Sequence, residues 1–471
     1  MLRPGRAHSF VRSRPSTGLS RPATFGGVKI FHAADIHIGR RRLDGRLPDK
    51  DFADAFSWVA GKAIEEAADV FLIAGDLFDR AQVEPPHLRQ AQQVLARLKQ
   101  ARIPVVAIEG NHDRAFLHSE QPTWLHYLAE DDLLVLLRAP FDSSGPILGK
   151  WENARQGGAW IDLGGVRFVG AGYLGAATPH KARQLAARLE PERTHVLLLH
   201  AGPEYFTGEG GGFSKEDLEF LRERVCYLAL GHIHKPMMHG DWACNPGSLE
   251  NCDVREAAHP GPRGYAVVEI DPTRRQKPIA IEIRDNPRRE CHRLTLDCTP
   301  FGNKLKNGAA ALVEAAVELI KADRAKAEAV IDLRLTGRLN LDRIALDPAG
   351  VCAAIEQEAG VRAASLDTTG LNVESVAAGV VAGGKEVSRE AVEMAAIRGL
   401  VDSRNLWGLD GREPEFATLF YQLKEAVRAG MGGEELAEKV GQSHLVELIR
   451  ASLNTAGTVV VQSPMDTDES R

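Results

Sequence analysis

Short apolar runs that end in a polar, chemically capable residue recur along this chain. VKIFHAAD ends at Asp35, DVFLIAGD at Asp76, IPVVAIEGNHD reaches Asn111 and His112, HVLLLH ends at His200, and YLALGHIH reaches His232 and His234. Each run has the length and composition of a short strand. Helical periodicity fills the first gaps, at Phe52–Ala67 and His87–Ala101, so the early chain alternates strand and helix and predicts a layered α/β domain. In open α/β sheets functional groups gather beyond the carboxyl ends of the strands. Residues far apart in sequence are therefore expected to converge on one site.

A second pattern follows the strand-like GYAVVEI and the basic stretch Arg284–Arg293. It predicts a strand at His292–Leu296, a helix at Ala309–Ala327, a strand at AVIDLRLTG, a helix at Val351–Glu358 and a strand at Ala364–Thr368. The run GVVAGGKEVS, residues 379–388, has linker composition. Helical spacing resumes at Arg389–Val401, Glu415–Ala429 and Gly433–Leu453. The expected organisation is a basic tail over 1–27, a catalytic domain over 28–287, a smaller α/β domain over 288–378, the linker over 379–388, a helical segment over 389–455 and a polar tail over 456–471.

Composition narrows the class. A chain of 471 residues with 44% apolar and 26% charged positions is ordinary for a soluble protein of two or three domains. Its net charge of -6 provides no global attraction to nucleic acid, so any DNA contact must rest on local basic patches. The six cysteines are scattered without a CxxC pair, which excludes a zinc finger or small disulfide scaffold and suits a reduced, cytoplasmic setting. No apolar run is long enough to span a bilayer. Residues 1–27 carry Arg3, Arg6, Arg12, Arg14 and Arg21 with no acid, in the manner of a transit peptide, but Pro4, Pro15 and Pro22 interrupt any amphipathic helix, and an unstructured tail is the expectation.

The candidate chemistry lies in a conjunction. A D-x-H pair (Asp35, His37), a GD-x-x-D (Asp76, Asp79), GNHD (Asn111, His112), a strand-end His200 and GH-x-H (His232, His234) are each unremarkable alone, because turns use such residues routinely. Together and in this order they supply mixed oxygen and nitrogen donors for two metal ions. Hydrolysis of an anionic phosphate ester benefits from two cations about 3.5–4 Å apart that activate water and neutralise the phosphoryl oxygens. Carboxylates can bridge such ions, while neutral imidazole and amide oxygen complete the shells without excess charge. This donor set suits Mn²⁺ best, with Fe²⁺ or Zn²⁺ as alternatives.

At these residues the sequence resembles the calcineurin-like metallophosphoesterase superfamily. The resemblance implies a layered β-sandwich flanked by helices, with Asp35, His37, Asp76 and His234 on one metal and Asp76, Asn111, His200 and His232 on the other, Asp76 bridging. It also implies that His112 contacts the scissile phosphate as proton donor, with Asp79 orienting it through a carboxylate–imidazole hydrogen bond. The wording ADIHIG, GDLFDR, GNHD, GHIHKP and NPGS resembles the DNA repair exonuclease branch, the SbcD- and YhaO-like nucleases. That branch implies a cap formed by the second domain, DNA as substrate, and a coiled-coil ATPase partner docked on the C-terminal helices; a homodimer stays open. Arg40, Arg41, Arg288, Arg289 and Arg293, with Arg42 and Arg46 nearby, are candidate phosphate contacts, a solvated charged surface being the other reading. A phosphodiesterase or phosphatase acting on small molecules or phosphoproteins, and a metal-binding scaffold without turnover, remain alternatives.

Overall fold

The computed structural model describes residues 27–114, 122–207, 211–258, 261–273, 279–299, 308–338, 347–372 and 413–428. Residues 1–26 of the expected basic tail over 1–27, the linker over 379–388, the helices at Arg389–Val401 and Gly433–Leu453 and the closing tail lie outside the described residues. Two compact units divide between Cys291 and His292.

The first unit begins with β1 (Val28–Ala33), α1 (Lys50–Glu65), β2 (Val70–Ala74), α2 (Pro85–Gln100), β3 (Val105–Ile108), α3 (Trp124–Glu130) and β4 (Val135–Leu136). A ribbon of β5 (Phe141–Asp142) and β6 (Gly145–Pro146) leads to β7 (Trp160–Leu163), β8 (Val166–Ala171), α4 (Thr178–Ala186) and β9 (Thr194–His200). Then come α5 (Glu204–Thr207), α6 (Lys215–Arg222), β10 (Tyr227–Gly231), β11 (Met237–His239), β12 (Ala243–Asn245), β13 (Gly264–Ile270) and β14 (Ile279–Asp285).

Two six-stranded sheets result, ordered β14-β13-β1-β2-β3-β4 and β11-β12-β10-β9-β8-β7. Their central strands are parallel: β1 with β2, β2 with β3, β8 with β9 and β9 with β10. The strands read as continuous apolar runs because both faces are buried. In β2, Val70 and Leu72 enter a core shared with Phe168, Val196 and Leu198 of the other sheet, while Phe71 and Ile73 pack outward with Phe56 and Val59 of α1. The second sheet repeats this arrangement, Leu197 and Leu199 meeting Ala182 and Leu185 of α4 and Leu218 of α6. Helices therefore cover both outer faces of a β-sandwich. Each fully buried Phe or Leu contributes roughly 1.5–3 kcal/mol relative to exposure.

A polar pair sits inside the sandwich. His32 of β1 is fully buried, and its Nδ1 lies 2.7 Å from the Tyr227 hydroxyl of β10. Burial pushes its pKa down to about 3, so it stays neutral in the folded protein. Below the ordinary histidine pKa the unfolded chain takes up a proton that the folded chain refuses, and stability falls with pH by up to about 1.4 kcal/mol per pH unit. His32→Asn keeps an acceptor for Tyr227 and removes the titration. Urea midpoints at pH 7 and pH 5 should therefore differ more for the wild type than for this variant; equal differences would exclude the effect.

The second unit holds β15 (Cys291–Asp297) from its second residue onward, α7 (Gly308–Asp323), β16 (Val330–Arg338), α8 (Pro348–Ala359) and β17 (Ala363–Asn372). Its sheet runs β15-β16-β17, with β16 and β17 parallel, the arrangement a strand–helix–strand unit requires. Leu312 and Ile320 of α7 and Val351 and Ile355 of α8 pack on Ile331, Leu333 and Ala364. Asp347 caps α8 by accepting from the Ala349 N–H, Pro348 occupies its first turn, and Gly360 ends it in the left-handed conformation. A further helix, α9 (Glu413–Arg428), is described beyond it. No helix among the described residues is long and apolar enough to cross a membrane.

Candidate metal centre

The carboxyl ends of the parallel strands deliver the polar residues. Asp35 and His37 follow β1, Asp76 follows β2, Asn111 and His112 follow β3, His200 ends β9, and His232 and His234 follow β10. Asp35, His37, Asp76 and His232 all adopt positive φ, at 51°, 51°, 53° and 86°. Such backbone is costly outside glycine and persists only where the surroundings over-determine it. Here the first two loops are hydrogen-bonded together: Asp35 N–H donates to Gly75 O, Ile36 and His37 N–H to Asp76 O, and Ile38 N–H to Leu77 O.

Other side chains lock the remaining loops. The Asp113 carboxylate accepts from Gly110 N–H at 2.8 Å and Phe78 N–H at 3.0 Å, tying the third loop to the second. Burial and then the charge of Asp76 push the Asp113 pKa up to about 7. The His232 N–H donates to both oxygens of Asp35, at 2.9 and 3.0 Å, which joins the two sheets. The Asn245 amide donates to Ile233 O and Lys235 O, so the NPGS segment clamps the loop that carries His232 and His234.

The seven sequence-predicted ligand residues converge. His200 Nδ1–H donates to Ala74 O at 2.8 Å, which leaves Nε2 facing Asp76 Oδ2 and Asn111 Oδ1, each at 3.1 Å. His232 Nδ1 also lies 3.0 Å from Asn111 Oδ1. His234 Nδ1–H donates to Glu256 at 2.8 Å, and its Nε2 faces His37 Nε2 at 3.2 Å. Donor atoms of Asp35, Asp76 and His200 lie within 4.8 Å of one another, as do those of His37, Asp76 and His112. A neutral imidazole nitrogen aimed at an oxygen, or at a second imidazole nitrogen, is favourable only with a proton or cation between them. The donor set thus fits divalent cations that accept mixed nitrogen and oxygen ligands.

The electrostatics agree. Burial opposes charge on Asp76, yet the His200, His37 and His112 imidazoles hold its carboxyl well below the ordinary value. Against the same opposition, Asp76 and Asp35 push His200 up to about 9. Burial and the charge on His200 push His232 down to about 4. The cluster holds anionic oxygens that draw positive charge toward it.

Two expectations change. The Asp79 carboxylate does not meet His112; the contact is made by its backbone carbonyl, 2.8 Å from His112 Nδ1. The carboxylate is taken by Arg40 at 2.8 Å and faces His37 Nδ1 at 3.5 Å, and these groups, against burial, hold its pKa at about 2. The arginines expected to meet phosphates are not a free basic patch. Arg40 also donates to Cys252 O, Arg41 pairs with Glu84, and Arg289 grips Asp51 through two bonds of 2.7 and 2.9 Å. Arg288 donates to Leu249 O and pairs with Asp285, while Arg293 pairs with Asp332 and Asp367. Arg41 makes its pair with Glu84 at an exposed position, where such a contact is worth little and exchanges readily.

Residues 28–236 match the family model described as calcineurin-like phosphoesterase. This segment is a calcineurin-like phosphoesterase domain. The DNA double-strand break repair protein Mre11 of Archaeoglobus fulgidus is 30% identical over 236 residues, covering 49% of this chain and 52% of its own. Its namesake from Aeropyrum pernix is 28% identical over 287 residues, covering 58% and 65%. That of Methanosarcina mazei is 38% identical over 246 residues, covering 52% and 36%. The chain spans about half the length of the first of these relatives and less than two thirds of the second. All seven converging residues and His112 lie inside the phosphoesterase segment, whereas Glu256 and Cys252, which sequence reading did not single out, lie beyond it.

Proposed function

We propose that this protein is a nuclease that uses two divalent metal ions, Mn²⁺ foremost, to hydrolyse DNA phosphodiester bonds in cytoplasmic DNA repair. The convergence of Asp35, His37, Asp76, Asn111, His200, His232 and His234 at the strand ends carries this reading. The similarity of the same segment to proteins named for double-strand break repair supports DNA as the substrate class. Asp35, His37, Asp76 and His234 would hold one ion and Asp76, Asn111, His200 and His232 the other. When bound, such a pair supplies charge neutralisation and an activated water.

The protein's own groups do the rest. The Asp79 carbonyl accepts from His112 Nδ1–H and thereby fixes the tautomer in which Nε2 is free to carry a proton to the leaving oxygen. The Asp76 carboxylate accepts from the His112 N–H at 2.9 Å, which holds that residue beside the bridge. Glu256 acts as a positioning residue, orienting His234 through Nδ1. A coiled-coil ATPase is the proposed partner of the C-terminal helices, of which α9 presents Phe420 56% exposed.

With Mn²⁺ the purified protein should degrade end-labelled linear duplex or single-stranded DNA, with activity falling as salt rises because phosphate contacts release counterions. Brisk turnover of cyclic nucleotides or a chromogenic phosphodiester with DNA left intact would replace DNA by a small-molecule substrate.

A further inference from the structure

The segment after the NPGS clamp brings a thiol to the metal centre. A sulfur of Cys252 and ring nitrogens of His37 and His234 lie within 4.8 Å of one another. Cys252 is 5% exposed, and both of its backbone groups are anchored by residues that touch the centre. Its N–H donates to Glu256, which orients His234, and its carbonyl accepts from Arg40, which pairs with Asp79 beside His37. A buried cysteine usually serves as a small hydrophobe, and the other buried cysteines fit that description: Cys244, Cys298 and Cys352 lie in apolar clusters. Cys252 instead faces two imidazoles. Those imidazoles present Nε2 to Nε2 at 3.2 Å, with the His234 proton committed to Glu256 on the other side of its ring, so the lone pairs beside the thiol already converge on a cation position.

We propose that Cys252 is an additional ligand of the ion held by Asp35, His37, Asp76 and His234. This rests on the two-metal reading above and deepens it. On ligation the S–H proton leaves to solvent and the sulfur electron pair forms the bond to the ion, with no change in oxidation state. A soft thiolate in an otherwise oxygen and nitrogen shell shifts that position from Mn²⁺ toward Zn²⁺, Fe²⁺ or Co²⁺. The two positions then differ in metal preference: the His200–His232–Asn111 position keeps its harder shell.

The test uses the full-length protein loaded with Co²⁺. A thiolate-to-cobalt charge-transfer band in the near ultraviolet is expected, and Cys252→Ser should abolish it while two cobalt ions remain bound. Two bound cobalt ions with no band in the wild type, or a band that survives in Cys252→Ser, overturns the thiolate ligand and leaves the metal centre intact. Failure to bind cobalt at all overturns both. Should the variant not fold, X-ray absorption of the zinc-loaded wild type decides: a sulfur scatterer at about 2.3 Å is expected, and a shell of nitrogen and oxygen alone at about 2.0–2.2 Å overturns the assignment.

Discussion

His112→Ala should leave both ions bound and lower turnover on DNA by roughly 10²-fold or more, the usual contribution of a positioned general acid. The expectation rests on what each atom of His112 touches. Its Nδ1 is bonded to the Asp79 carbonyl and its backbone N–H to Asp76, so the ring is held in place while Nε2 remains available. Asp76→Ala should behave differently. It removes the carboxylate that faces both His200 and His37, and metal content and activity should fall together. Elemental analysis and turnover on one DNA substrate separate the two. An empty site in His112→Ala would make His112 a ligand, a role its place in a cluster with His37 and Asp76 makes worth excluding. Asp79→Asn should act mainly through Arg40 and His37, hence on metal retention, since its carbonyl bond to His112 survives the substitution.

Gly110→Ala should empty the centre almost as effectively as removing Asp76, although it replaces no ligand. An added Cβ at Gly110 would collide with the Asp76 carboxylate and stand 2.5 Å from its backbone nitrogen. That nitrogen belongs to a residue already at positive φ, with its carbonyl holding the N–H groups of Ile36 and His37. The neighbour cannot retreat without unfastening the first loop. Overpacking of this kind typically costs about 1–3 kcal/mol, so the fold should survive while the bridge moves. Metal stoichiometry together with circular dichroism measures both; full loading and normal turnover in Gly110→Ala would show that the loop is freer than its bonding indicates.

Much of the centre was legible because each parallel strand is buried on both faces and stands out as an apolar run, while the residue that ends it is polar for a reason burial does not supply. The helices on the outer faces were legible for the same reason: α1 and α2 each present one apolar side to the sheet. The residues missed are those whose partners are remote. Arg289 meets Asp51 across 238 positions, and Arg40 meets Asp79 across 39, so a cluster of arginines that reads as a basic patch is neutralised by acids the local sequence does not display. Glu256 and Cys252 sit in a short segment with no periodicity to mark it, and only the folding back of that segment onto His234 gives them a role. The exchange of carboxylate for carbonyl at His112 was equally invisible, because both groups belong to Asp79 and the choice depends on where Arg40 arrives.

The division of ligands between the sheets has a mechanical meaning. Asp35, Asp76 and Asn111 hang from β1, β2 and β3, and His200, His232 and His234 from β9 and β10, two layers whose shared interior is mainly apolar. Cations shared by these residues would act as a rivet along one edge of the sandwich, in addition to the Asp35 bond to the His232 backbone. Because ions that bind only the assembled arrangement stabilise it, this edge would be the last to part when loaded and the first to gape when chelated. The same pull runs backward. Anything that lets one layer slide against the other alters the spacing of the ions, so a substitution in the apolar seam far from the phosphate can tune the chemistry without approaching it.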